Sequence, residues 1–296
     1  MPETDPWTIG RLLTWTTDYL QQSGADSPRL DAEVLLAEAR GCQRIELYTA
    51  FDAAADETTR TAFRELVRRR AEGMPVAYLV GRREFYSLSF RVTPDVLIPR
   101  PETEHVVVGL LDLAKSYPVS TSQLHIADVG TGSGIIAVCA ARHLAGCRVT
   151  AIDVSPAALA VAESNARQHE VLERIDLVQS DLLSAVGEDV RFDFIASNPP
   201  YLSSEEIEAL APDVKQHEPH LALAAGSHGT QIIERLIPQA AEHLKPGGWL
   251  IMEISPMLQG TVEAMLTRDG RFQIAPTQKD LAGHARVVNA QRVREE

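Results

Sequence analysis

Between residues 124 and 254, short apolar runs alternate with helical segments, and this alternation restricts the possible fold more than any other feature of the chain. Leu124–Val129, Val149–Asp153, Ile175–Val178, Phe192–Ala196 and Trp249–Ile254 read as strands. One helix runs through Ile135, Val138 and Cys139, a second is capped by Ser155-Pro156, and a third extends from about Gly229 to Leu244 before Lys245-Pro246-Gly247-Gly248. Parallel neighbours need a crossover, so the pattern predicts an α/β fold: a parallel sheet covered by helices on both faces. Ligands of such sheets gather at the carboxyl ends of the strands. Phe272–Ile274 and Arg286–Ala290 are expected as an antiparallel edge pair.

The first 75 residues have a different texture. Thr8 can cap a helix whose face is Ile9, Leu12, Leu13, Thr16, Tyr19 and Leu20. Ser27-Pro28 opens a helix over Leu30–Ala39 that stops at Gly41, and a third runs from Asp56 to Glu72 with Phe63, Leu66 and Val67 inward. Helices this short are marginal alone and must pack as a bundle. Glu84–Val92 is strand-like and bracketed by Gly81 and Pro94. At 296 residues the expectation is therefore a helical bundle over 1–75, a β-hairpin linker over 76–93 and an α/β domain over 94–296.

Charge narrows the partners. The chain carries 28 basic and 41 acidic residues, net −13. Residues 1–93 hold 12 Arg, no Lys and 14 acidic residues, which leaves −11 for the remainder. A domain built to grip a polyanion shows the opposite sign, so no direct DNA binding is expected. Arg60, Arg64, Arg68, Arg69 and Arg70 form one local basic face, and Glu65 is placed to pair with Arg69 across one helical turn. Aromatics, at 5%, are too few for a base-stacking surface. Cys42, Cys139 and Cys147 lack metal-type spacing, so reduced thiols and no metal are expected. No apolar run reaches the length of a spanning helix, and Met1-Pro2-Glu3-Thr4-Asp5 has neither the basic nor the apolar region of a secretory leader. The expectation is a cytoplasmic monomer without membrane contact.

Two motifs carry chemistry. Asp128-Val129-Gly130-Thr131-Gly132-Ser133-Gly134 falls where a strand gives way to a helix, so its backbone can approach a ligand closely. Asp153 ends the next strand, 19 residues past Gly134, where a carboxylate can accept both ribose hydroxyls of an adenosine. Either NAD or S-adenosylmethionine suits these features. The G-x-G-x-G spacing favours S-adenosylmethionine. So does Asp128, which would repel a pyrophosphate but complements ammonium and sulfonium charges. Asp181, after the third strand, is a further candidate at the adenine edge.

The second motif is Asn198-Pro199-Pro200-Tyr201, directly after the strand Phe192–Ser197. Consecutive prolines remove two donors and hold the chain out of helix. The Pro199 carbonyl and the Asn198 side-chain oxygen together can accept both hydrogens of a planar NH₂ group, and Tyr201 can stack on it. An amide nitrogen is a weak nucleophile, and alignment beside a methyl donor in a dry pocket can lower its barrier by up to about 7–11 kcal/mol.

Asn-Pro-Pro-Tyr after the fourth strand resembles class I methyltransferases acting on planar amino groups. Further motifs are similar to those of the PrmC/HemK family of peptide chain release factor glutamine methyltransferases. They are Gly81-Arg82-Arg83-Glu84-Phe85-Tyr86, Leu97-Ile98-Pro99-Arg100-Pro101-Glu102-Thr103-Glu104, Ser155–Leu159, Glu218-Pro219 with Ala222-Leu223, Pro246-Gly247-Gly248 and Ser27–Glu33. His228, Ser255 and Gln259 depart from the family pattern, all outside the catalytic loop. The resemblance implies a Rossmann-like class I methyltransferase domain behind a helical partner-recognition domain and a β-hairpin. It implies methylation of the glutamine amide in the Gly-Gly-Gln loop of class-I release factors, with S-adenosyl-L-methionine as cofactor. Carried onto this chain, Gly130–Gly134 and Asp153 would bind the cofactor, with Leu182 beside the adenine. Asn198 and Pro199 would hold the glutamine, with Tyr201 and Leu97 shaping its pocket and Pro200 completing the motif. A ribosomal-protein glutamine or a DNA adenine remain alternative acceptors, and a nucleotide-binding module would leave Asn-Pro-Pro-Tyr without a task.

Overall fold

The computed structural model describes residues 6–118 and 124–294. Met1–Asp5, read above for a leader, lie outside the described residues. The chain divides into two compact units, one running to Arg82 and including Ala211–His217, the other formed by Arg83–Leu210 and the chain from Glu218.

In the first unit α1 (Ile9–Gln22) starts at Thr8, whose side chain accepts from the Arg11 amide at 3.2 Å. Ile9, Leu12, Leu13, Thr16 and Leu20 are buried along one face. Tyr19, expected inward, is exposed and stacks on Trp15 with ring centroids 5.1 Å apart. Next, α2 (Pro28–Arg40) has proline in its first turn and left-handed Gly41 at its end. Two short helices carry too little periodic pattern to be read in advance: α3 (Arg44–Thr49) and α5 (Val76–Val80). The longer α4 (Glu57–Ala71) is capped by Asp56. On its basic face Glu65 pairs with Arg68 at 2.7 Å rather than with Arg69, and Glu72 takes the other side of the same guanidinium. One planar fork reaches both carboxylates, so this face is a solvated ion-pair network.

A hairpin follows, β1 (Arg82–Phe85) and β2 (Leu88–Arg91), which from Arg83 onward belongs to the second unit. Tyr86 and Ser87 both have positive φ, 48° and 58°, as a two-residue turn between right-twisted strands requires. The hairpin therefore begins at Arg82, not at 76, where the chain is still helical. It is no free linker: Phe85 and Phe90 are buried in the core of this unit, and Asn165 of α8 (Pro156–Gln168) hydrogen-bonds both the amide and the carbonyl of Arg91.

A single 3₁₀ turn, Pro101–Thr103, leads into α6 (Glu104–Ser116). Then follow β3 (His125–Val129), α7 (Ile135–His143), β4 (Arg148–Asp153), α8, β5 (Ile175–Gln179) and β6 (Phe192–Ser197). Short helices α9 (Ser204–Glu208), α10 (Pro212–His217, part of the first unit) and α11 (His220–Leu223) precede α12 (Gln231–His243) and β7 (Leu244–Glu253). Last come α13 (Gln259–Asp269), β8 (Phe272–Ile274), β9 (Gln278–Lys279) and β10 (Ala285–Arg292).

The sheet runs β5-β4-β3-β6-β7-β10-β8, with β9 on β10. Strands β3 to β7 are parallel and β10 is antiparallel to both β7 and β8, as the edge-pair expectation required. Strand β7 starts at Leu244, five residues before the expected Trp249. Its pairing with β6 jumps from Phe192↔Leu244 to Phe194↔Trp249, so the Pro-Gly-Gly segment is absorbed as an irregularity inside the strand. Adjacent strand residues go to opposite cores. Ile126, Phe194, Ile251 and Val287 pack with α6 and α7 on one face; Ala127, Ile195, Leu250 and Val288 pack with α12 and α13 on the other. Full burial of each large apolar side chain contributes about 1.5–3 kcal/mol. Two buried faces explain why these strands read as continuous apolar runs. Among the described residues, no helix is long and apolar enough to cross a membrane.

Candidate active site

The sheet order reverses between β3 and β6, the strands that precede the two motifs, so both loops emerge side by side at one carboxyl edge. Ser197 Oγ donates to the Val129 carbonyl at 2.7 Å and locks the two strand ends together. A cavity of about 380 Å³ opens there, lined by Gly130, Thr131, Gly132 and Ser133, by Asp153, Asp181 and Leu182, and by Leu97, Asn198 and Pro200. Residues separated by up to 103 positions thus face one space.

The glycine loop is held from below. The amides of Gly130 and Thr131 donate to the Ile152 carbonyl at 2.8 and 2.9 Å. Asp153 accepts the Gly132 amide on Oδ2 and the Ser155 amide on Oδ1, each at 2.9 Å. Those bonds aim its carboxylate, which keeps lone pairs directed at the cavity. Gly134 has φ +82°, and a Cβ there would lie 3.1 Å from Ala162 Cβ on α8; the missing side chain lets helix and loop close-pack.

Asp128 differs from its expected role. It is 0% exposed and does not line the cavity. Its Oδ2 accepts from Thr131 Oγ1 at 2.6 Å and from the Ala137 amide at 3.0 Å, while Oδ1 has no partner. Asp128 therefore supports the loop from behind. Burial pushes its carboxyl up to about 7, against the pull of the Thr131 and Ala137 bonds. Asp181 does line the cavity, but Arg235 pairs with it at 2.6 Å, so its carboxylate is partly neutralised. Leu182, beside it, is held at φ 54°, a left-handed strain unusual for leucine and typical of a ligand wall.

Asn198 faces the cavity and donates from Nδ2 to Thr103 Oγ1 at 3.0 Å, which leaves Oδ1 as the end turned to a ligand. Pro199 and Tyr201 are not among the lining residues. The Tyr201 hydroxyl instead donates to Oε1 of Glu253 at 3.4 Å, and burial raises the phenol above its ordinary range. The expected stacking face of Tyr201 is accordingly not a wall of this cavity. On the far side Arg100 pairs at 2.6 Å with Glu218, whose side chain is buried; this joins the Leu97–Thr103 segment to the Glu218-Pro219 turn.

Thr103, Glu253, Arg100, Glu218 and Arg235 received no role from the sequence. Thr103 and Arg100 lay inside a quoted motif, yet nothing in its spacing indicated a partner 95 residues away. Gly229 was equally silent. Its φ is +73°, and a Cβ would stand 2.7 Å from the Tyr201 carbonyl. Gly229→Ala is expected to cost about 1–2 kcal/mol from backbone strain alone, on the order of 2–8 °C in melting temperature, and to displace the Tyr201 backbone. A thermal melt and a turnover assay both matching the native protein would remove that constraint.

Sheet order and site define a class I methyltransferase architecture. The comparisons agree. Residues 11–81 match the PrmC N-terminal domain family and residues 111–216 the methyltransferase small domain family. The release factor glutamine methyltransferase of Rhodopirellula baltica is 50% identical over 287 residues, 97% of each chain. That of Geobacter sulfurreducens is 42% identical over 95% of this chain and 96% of its own. The crystal structure of a ribosomal protein L11 methylase from Lactobacillus delbrueckii superposes with TM-score 0.50 at 26% identity, covering 69% of this chain and 86% of that one. The chain belongs to the release factor glutamine methyltransferase family.

Proposed function

We propose that the cavity binds S-adenosyl-L-methionine along the glycine loop, Asp153 and Leu182, and that Asn198 and Pro199 hold the glutamine amide of the Gly-Gly-Gln loop of a class-I release factor. One observation carries this reading: the Asn198 carboxamide stands on a wall of the same cavity as the Gly132 amide and Asp153. The volume lies within the range of small-molecule sites, about 300–1,000 Å³, and the donor set suits an adenosine with a cationic tail. When bound, S-adenosylmethionine supplies a methyl made electrophilic by positively charged sulfur.

The chain's own residues do the rest by orientation. Asp153, pre-aimed by Gly132 and Ser155, accepts the ribose hydroxyls, and Leu182 packs on the adenine. Asn198 Oδ1, on the cavity wall, accepts one amide hydrogen. The carbonyl of Pro199, which does not itself line the cavity but lies between the lining residues Asn198 and Pro200, would accept the other once the acceptor is seated. Together they turn the nitrogen's face toward the methyl. Hydrogen bonds from the amide to these oxygens strengthen as positive charge grows on nitrogen, so the site favours the transition state over the ground state.

The test is incubation with labelled S-adenosylmethionine and, separately, release factor, ribosomal protein and DNA, followed by mass spectrometry. Label on the Gly-Gly-Gln glutamine is expected; label only on another acceptor overturns the substrate assignment. We further propose that the helical unit selects the partner through surfaces other than the basic face of α4, because Arg68 is already neutralised by Glu65 and Glu72. Arg64→Glu combined with Arg68→Glu is therefore expected to leave the Michaelis constant for intact release factor within about twofold, as for screened surface charges. A rise well beyond that would make this face a docking site.

A further inference from the structure

We propose that Met257 and Leu281, together with Val154 and Leu221, form an apolar docking rim for the release factor surface that surrounds the Gly-Gly-Gln loop. This rests on the reading of the acceptor as a release factor glutamine.

Single exposed apolar side chains are ordinary on a protein surface, but their concentration at one place marks an interaction site. Among the described residues of the second unit, the four most exposed large apolar side chains are Leu281 (107%), Met257 (86%), Leu221 (61%) and Val154 (44%). All four lie at the carboxyl edge of the sheet, where the cavity opens. Val154 follows Asp153 at the end of β4, and Leu221 belongs to α11, held beside the loop after β6 by the Leu202–Ala224 bridge. Both line the cavity. Met257 stands in the 3₁₀ turn Pro256–Leu258, just after β7. Leu281 precedes β10, which is antiparallel to β7 with Val287 opposite Glu253, so its first residues lie beside the last of β7. The Arg286 carbonyl accepts the Ile254 amide at 2.9 Å and ties the roots of these two loops together.

The loop that carries Leu281 is braced from within. One Asp280 oxygen accepts the amides of Ala282 and His284, each at 2.9 Å, and the other accepts Arg286 Nε at 2.8 Å. The Asp280 amide donates to the His284 carbonyl and the Gly283 amide to the Asp280 carbonyl, both at 2.9 Å. A leucine held in full contact with water gains nothing for the chain alone. Ordered in advance, its loop gives up little conformational freedom when a partner covers it.

The mouth that the rim surrounds identifies the occupant. Gly-Gly-Gln offers one side chain, and in the proposed site that side chain enters the cavity. The glycines bury almost nothing, so the contact area comes from acceptor residues beyond the tripeptide, which rest on the rim. A nucleic acid would call for unpaired cations there. Instead, the two arginines among the cavity-lining residues are paired, Arg100 with Glu218 and Arg235 with Asp181, each at 2.6 Å, and Arg286 is paired with Asp280. An apolar rim with its cations neutralised fits a protein surface.

The experiment compares Leu281→Asp, Met257→Asp, the double variant and Leu281→Met with the native enzyme. It measures methylation of intact release factor and, by titration, the Kd values for release factor and for S-adenosylmethionine. The altered side chains are exposed, so melting temperatures stay near native. Each aspartate raises the KM and Kd for release factor roughly 10-fold and the pair about 10²-fold, as for apolar anchors of an interface. Saturated kcat and the Kd for S-adenosylmethionine stay within about twofold, because the rim holds ground state and transition state alike. Leu281→Met, which keeps the apolar contact, binds release factor like the native enzyme. Native KM and Kd in the double variant overturn the proposal, as does a fall in kcat at unchanged KM. Sedimentation showing a native dimer that Leu281→Asp disperses would assign the rim to a second copy of this chain and overturn it too. If the native enzyme neither binds nor methylates release factor, the substrate reading itself fails, which keeps the two failures distinguishable.

Discussion

Asn198→Ala lowers kcat about 10³-fold while the dissociation constant for S-adenosylmethionine moves less than about threefold. The magnitude follows from what the residue does in the proposed site. It is not a base and carries no charge; it supplies one of two oxygens that aim an unreactive amide nitrogen. Loss of a preorganised acceptor in a water-poor cavity costs about 2.7–4 kcal/mol of barrier. The variant also leaves Thr103 Oγ1 without the donor it now meets at 3.0 Å, a modest stability cost because water can enter from the cavity. Cofactor binding is spared because the glycine loop and Asp153 are held by bonds from β4 and not by Asn198. Calorimetric titration and single-turnover methylation separate the two effects. An equal loss in both would move Asn198 into cofactor binding or folding.

Asp153→Ala produces the opposite split: cofactor affinity falls by about 3 kcal/mol, or about 10²-fold, near the upper end for removal of a hydrogen-bonded charged partner. Two contributions add. The ribose hydroxyls lose their acceptor, and the Gly132 and Ser155 amides, each held at 2.9 Å, lose the group that fixes the loop before the ligand arrives. Asp153→Asn does not rescue, because a carboxamide has one oxygen for two backbone donors and must turn its NH₂ toward one of them. At saturating cofactor kcat recovers most of its native value. A titration in which Asp153→Ala binds as tightly as the native protein removes this residue from the site.

The alternating apolar runs located four of the five parallel strands to within a residue or two, and the antiparallel pair at the edge, because a strand buried on both faces has no other way to be written. The Pro-Gly-Gly segment was misread for the converse reason. Local turn chemistry pointed to a connection, but pairing with β6 on one side and β10 on the other holds Leu244–Glu253 as one irregular strand. In the helical unit the caps Thr8 and Asp56 were legible, while the six-residue α3 offers no period to count.

The site divides along the same line. Gly130–Gly134, Asp153, Asp181 and Asn198 were visible in the chain because each sits where a strand ends, and the end of a strand is a local property; Leu182 came only from the family resemblance. Asp128 was visible for the same reason and yet misplaced, since whether a strand-end carboxylate points into a cavity or under a loop depends on the helix behind it. Thr103 and Asn198, 95 positions apart, show no local sign of the hydrogen bond between them. Linear order therefore carries the kinds of element and the chemistry available at their ends, through hydrophobic period and turn-forming residues. Which buried hydroxyl meets which side-chain amide is decided only when folding brings the 3₁₀ turn Pro101–Thr103 against the loop after β6, because a hydrogen bond depends on distance through space and not along the chain.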